Sequence, residues 1–191
     1  RDQVESLIKC VEGLISDGFV LDAKNKRRGI FWRAVEMSAK FRIGQETILK
    51  CMRKGFGTTE SDGLLSIEDC VHQLINFRQP EEGKRFAELD AIGARTVYQL
   101  LRFVPRLCGD VLTGIISKFD ASELEGMCND GLASRCILDG ILDGPTAQKP
   151  FSQAVKKLFD KLKDRWVSLS SERVGHHTVK KIFIKLKNME D

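Results

Sequence analysis

Val174-Gly175-His176-His177-Thr178-Val179-Lys180-Lys181-Ile182-Phe183 reads on its own as one amphipathic helix, and its ten columns return at 132–141, 92–101 and 43–52. In every copy column one is aliphatic, column two is Gly or Ala, column five is Thr or Cys, and column six is Val or Ile. At about 100° per residue, columns one, five, six, nine and ten share one broad face. Columns three, four and seven fall together on the other side and are expected to face solvent. That trio is Gln45, Glu46 and Leu49 in the first copy, then Ala94, Arg95 and Tyr98. The later copies supply Ser134, Arg135 and Leu138, then His176, His177 and Lys180. Near-constant apolar columns beside a variable trio describe a repeated scaffold with separately adjustable contacts.

The column-two residues are 44, 93, 133 and 175, at intervals of 49, 40 and 42. Such periods point to stacked helical units, each burying its apolar face on its neighbours. The chain is therefore expected to be all-α, an α-solenoid, with repeat helices near 43–53, 92–103, 132–142 and 174–186. A short helix precedes each patterned helix and a longer one follows it. Stretches 3–16 and 30–41 read as further helices, the second with Phe31, Ala34, Val35 and Ser38 on one side. Ser66-x-x-Asp69 reads as a helix start stopped by Pro80, and 85–89 as a short helix. Pro105 is placed as the stop of the second repeat helix. Ser122-x-x-Glu125 is read as a capping box, and 151–163 as an outer helix.

With 191 residues, 42% hydrophobic and 30% charged, the chain has the composition of a folded domain or a run of four to five repeats. No apolar run approaches the roughly 20 residues of a membrane helix, so no membrane partner is expected. The chain begins at Arg1 rather than Met and is expected to be a fragment. Six scattered cysteines without a C-x-x-C pair read as reduced residues of an intracellular protein, several of them in the core. The net charge of +4 is uneven: from Pro145 onward stand eleven of the 31 Lys/Arg but five of the 27 Asp/Glu. Lys24, Lys26, Arg27 and Arg28 form a second basic cluster. Basic clusters on a repeat array suggest a polyanionic partner.

A small residue followed by a contact trio at columns three, four and seven resembles the Pumilio (PUF) RNA-binding repeats. The irregular spacing and the run Asp130-Gly131-Leu132-Ala133-Ser134-Arg135 most resemble the nucleolar Pumilio-like family of small-ribosomal-subunit biogenesis, over roughly residues 30–190. The resemblance implies a right-handed superhelical array of three-helix repeats, with 1–191 forming the C-terminal part of such a domain. It implies binding of precursor ribosomal RNA in the nucleolus, including shielding of a cleavage site, alongside pre-ribosomal proteins. It also implies stacking on bases by Arg95, Arg135 and His177, with Glu46 in the same column of the first copy. Base edges would meet Gln45 with Leu49, Ala94 with Tyr98, Ser134 with Leu138, and His176 with Lys180. A planar side chain stacking on a base contributes about 1–3 kcal/mol. Leu49 and Leu138 cannot hydrogen-bond, Ala94 has no polar tip, and Glu46 is anionic. Weak base readout, led by backbone and shape, is therefore expected.

No H-E-x-x-H, phosphate loop, G-x-S-x-G or recognisable carboxylate pair occurs, so neither an enzyme nor a cofactor or small-molecule substrate is expected. His176 and His177 point about 100° apart on a helix and His72 is distant in sequence, so no metal is expected either. The alternative is a HEAT- or armadillo-like protein scaffold, favoured by Glu46, Leu49, Ala94 and Leu138 as poor RNA ligands. Salt dependence separates the two, because RNA contact releases counterions.

Overall fold

The computed structural model describes residues 1–21, 25, 28–57, 63–79, 87–145 and 147–189. Among these the regular elements are helices: α1 (Asp2–Ser16), α2 (Gly29–Phe41), α3 (Gln45–Gly55), α4 (Ile67–Ile75), α5 (Ala91–Leu100), α6 (Pro105–Lys118) and α7 (Ala121–Asn129). Then α8 (Gly131–Ala133), a π-helical turn (Ser134–Leu138) and α9 (Asp139–Leu142) run on as one element. It is followed by α10 (Lys149–Leu162), α11 (Trp166–Ser171) and α12 (Gly175–Lys187). No named strand occurs among the described residues.

Short polar side chains set the helix starts. Ser66 accepts from the Asp69 N–H at 3.0 Å, and Asp90 from Gly93 at 2.9 Å. Asp130 accepts from both Leu132 and Ala133. Each such cap stabilises its helix by about 1 kcal/mol. The box at α7 is Asp120 with Glu123, two residues before the expected Ser122 and Glu125. Glu125 instead pairs with Arg165 and accepts from Ser168 at 2.8 Å, tying α7 to the segment carrying α11.

Several boundaries differ from the sequence expectation. The helix opened by Ser66 ends at Ile75 on a left-handed Asn76. Pro80 lies outside the described residues, as do Lys24, Lys26, Arg27 and positions 85–86. Ala87, Glu88 and Leu89 are not helical, because Glu88 pairs with Arg78 in an antiparallel bridge. Pro105 does not stop α5, which ends at Leu100. It opens α6, where a missing N–H costs nothing.

The helices pack in two rows. In front, α5 lies on α2, the α8–α9 element on α5, and α12 on the α8–α9 element. Behind them α3 lies on α1 and α4, α4 on α6, and α6 on α10. One apolar core runs through both rows, from Val4 to Ile182. The short helices α4, α7 and α11 lead into the front-row helices.

The front row explains column two. A Cβ on Gly93 would stand 1.6 Å from the Leu74 carbonyl oxygen, and one on Gly175 2.8 Å from that of Leu169. The first turns of α5 and α12 thus press on the preceding short helices α4 and α11. Gly44 does something else. It caps α3 in the left-handed region, at φ +63°, where glycine is favoured by backbone freedom.

That difference marks a change of register. The helix that packs beside α5 is α2, not α3. Its buried residues Phe31, Ala34, Val35 and Ser38 have the spacing of the buried Gly93, Thr96, Val97 and Leu100 of α5, and Ala39 has that of Leu101, the C-cap of α5. The two starts are joined by Arg28, whose guanidinium pairs with the buried carboxylate of Asp90, the cap of α5. Arg28 is therefore structural rather than part of a solvated basic face. The stretch matched at 43–52 belongs to the back row.

Candidate nucleic-acid interface

A front-row helix is enclosed on both sides by neighbours and behind by the back row, so its buried arc is wider than one amphipathic face. The expectation that columns three, four and seven all face solvent is corrected at five positions. Gln45, Leu49, Ala94, Ser134 and Leu138 are buried.

In the second and third copies column three is buried, whereas His176 of the last copy stays exposed. Ser134 shares a 3.1 Å hydrogen bond with Thr178, column five of the next helix. Ala94 is fully buried in the same column. Gln45 is held by the chain around it: its amide donates to the Ser38 carbonyl at 3.4 Å, and its oxygen accepts from the Val104 N–H at 3.0 Å. Leu49 and Leu138 join the core. Apolar residues in column seven are thus packing residues, which accounts for their having no polar tip.

Column four behaves differently. Arg95, Arg135 and His177 are all exposed, on three successive helices of the front row. Arg135 and Arg95 both stand near enough to the Cys136 thiol to oppose its shift. Burial raises the pKa of Cys136 above its ordinary value and the two guanidinium groups pull against it. Arg135 donates through Nε to the Gly131 carbonyl at 2.7 Å, which fixes the root of its guanidinium. The π-helical turn spans Ser134 to Leu138, with Asp139 N–H reaching back five residues to Ser134. Such widened turns are frequent at functional sites.

Glu46 does not belong to this column. It sits at the start of α3 and forms an exposed ion pair with Arg106 of α6. By the register of α2 on α5, the place of Arg95 falls to Arg33 and that of Tyr98 to Glu36. These two are paired with each other across one helical turn. Sequence reasoning missed Arg33 although Ala34 and Val35 mark columns five and six beside it.

The remaining contact residues are exposed or half-buried. Tyr98 is half-buried, with the Arg102 guanidinium 6.0 Å from its ring centre. His176 and His177 have ring centres 3.8 Å apart, and His176 Nδ1 lies 3.0 Å from the Glu172 carbonyl oxygen. Lys180 is exposed, whereas Lys181 bonds Asp139 at 2.9 Å and Asp143 at 3.5 Å. Partial burial lowers the Lys181 pKa, but the bonds and charges of the two carboxylates outweigh it and the net shift is upward. This pair of bridges clamps α12 to α9.

Between the α8–α9 element and α12 opens a hollow of about 390 Å³, lined by Arg135, Asp139, Arg173, His177 and Lys181 among others. Among the described residues no group of three or more His, Cys, Asp or Glu is placed to hold a metal ion. No described helix is long and apolar enough to cross a membrane. Cys51, Cys70, Cys108 and Cys128 are buried, Cys136 is partly so, and Cys10 is exposed; all six are free thiols.

A family model described as the NOP9-like PUF repeat domain matches residues 1–189. The chain belongs to this family. The NOP9-like match takes in the first helix as well, which the resemblance over 30–190 left out. NOP9-like PUF repeats are an RNA-binding, non-catalytic family linked to ribosome biogenesis, and the helical array above is their architecture. No curated protein and no solved structure gives a match.

Proposed function

We propose that the chain binds precursor ribosomal RNA in the nucleolus, along the exposed column-four edge of the front row and with little base readout. The observation that carries this reading is the row of Arg95, Arg135 and His177, planar side chains left open at one position of three neighbouring helices. Their faces suit stacking on unpaired bases, and the guanidinium groups also suit phosphate. Base-edge readout has few groups to work with. Ser134 is taken up by Thr178, and Ala94 and Leu138 are buried. Affinity then comes mainly from stacking and from the sugar-phosphate backbone.

The protein-scaffold alternative drew on Glu46, Leu49, Ala94 and Leu138 as an RNA-averse contact surface. The three apolar members are core residues and Glu46 is paired on another row, so that support is withdrawn. Pre-ribosomal proteins remain compatible as additional partners of the same array.

Arg135→Ala and His177→Ala are expected to weaken binding to single-stranded RNA, each by about fivefold to tenfold, taking the low end of the stacking contribution. Circular dichroism should show the fold unchanged, since both side chains are exposed. Undiminished affinity in both single variants and in the double variant would remove the column-four assignment.

A further inference from the structure

The hollow between the α8–α9 element and α12 contains a side chain outside the ten repeat columns. Arg173 stands in the link between α11 and α12, one residue before the first column, and is exposed on the rim. Around the same hollow lie Arg135 and His177, so two guanidinium groups and an imidazole share one opening. The one carboxylate lining it, Asp139, is bonded by Lys181, which also reaches Asp143. The acid on the wall is therefore neutralised and the opening is left with a cationic rim.

The groups that would read a base here are missing. Ser134, which also lines the hollow, is hydrogen-bonded to Thr178, and Leu138 is fully buried. What remains are donors suited to anionic oxygen, above all guanidinium groups, which match phosphate with two parallel N–H bonds. We propose that this hollow holds a phosphodiester of the bound RNA and that Arg173 is a phosphate ligand of it. The proposal rests on the RNA-binding reading and assigns this junction a backbone-gripping role in it.

The test measures affinity of the wild-type chain, Arg173→Ala and Arg173→Lys for several single-stranded RNAs of different sequence, each across a salt series. Lys157→Ala, which removes one positive charge from the exposed face of α10, is the control. Arg173→Ala should lose about fivefold in affinity, equally for every RNA, and its log–log salt slope should shrink by about 0.7. Arg173→Lys should recover part of the loss, and Lys157→Ala should change little. A loss confined to one RNA sequence would show a base contact instead and overturn the proposal. So would an Arg173→Ala variant that matches either the wild type or the Lys157→Ala control. If the wild-type chain itself binds no RNA at low salt, the RNA-binding reading falls together with this subsite. Normal binding that ignores Arg173 removes the subsite alone.

Discussion

Gly93 and Gly109 both stand in helices, yet a methyl group at each should act in opposite directions. At Gly93 the added carbon meets the Leu74 carbonyl oxygen at 1.6 Å, an atom of rigid backbone. Gly93→Ala must push α5 off α4 and is expected to destabilise the fold by about 3 kcal/mol or more. At Gly109, inside α6, nothing lies within 4 Å of the added carbon. Gly109→Ala should stabilise by about 0.5–1 kcal/mol, because the unfolded chain loses freedom. Thermal melts of the two variants check the pair: Tm should fall for the first and rise for the second. At this scale the sequence showed that column two must be small. It could not distinguish Gly93, small for packing, from Gly44, small for a left-handed turn, because both are simply glycine in a row of letters.

At the scale of the element, that confusion has a consequence. A ten-column match placed 43–52 in the contact row, and the fold gives that place to α2. Four of the five buried positions of α2 share the spacing of buried positions in α5, so the signal was present, but Phe31 stands where the pattern asks for Gly or Ala. Arg33→Ala should therefore weaken RNA binding as Arg95→Ala does, while Glu46→Ala should leave it nearly unchanged or slightly stronger. Titration of one labelled RNA with all three variants decides the matter. A loss at Glu46 with none at Arg33 would return α3 to the interface. The other misreading concerned columns three and seven. Periodicity reports a single buried face, whereas a helix set between two neighbours is covered on its flanks as well. Column four stays exposed in the three later copies, at Arg95, Arg135 and His177, while its expected first member, Glu46, is paired with Arg106 on the back row.

For the whole molecule, the all-helical array was readable from the repeat, because intervals of about forty residues have few other physical explanations. Which neighbours touch was not, since long-range pairs such as Arg28 with Asp90 join residues with no local relation. The core also carries its own pH limit. Burial pushes the thiols of Cys70 and Cys128 up to about 12 and that of Cys108 up to about 11, while in the unfolded chain each ionises near 9. The folded state keeps its protons as the unfolded state loses them, so stability falls as pH rises above about 9. At pH 10 the loss is on the order of 1 kcal/mol per thiol. Denaturant melts at pH 7.5 and pH 10 should show that decline, and replacing Cys70 and Cys128 with Ala should flatten it.

Recognition of RNA by the front row is the proposal from which the other expectations follow. The direct measurement compares RNA affinity of the wild-type chain with two variants, one lacking Arg33, Arg95, Arg135 and His177, the other lacking exposed Lys156, Lys157 and Lys163. The first should lose most of its binding and much of its salt dependence while remaining folded, and the second should keep nearly all of both. Equal losses in the two, or a first variant that binds as the wild type does, would contradict it.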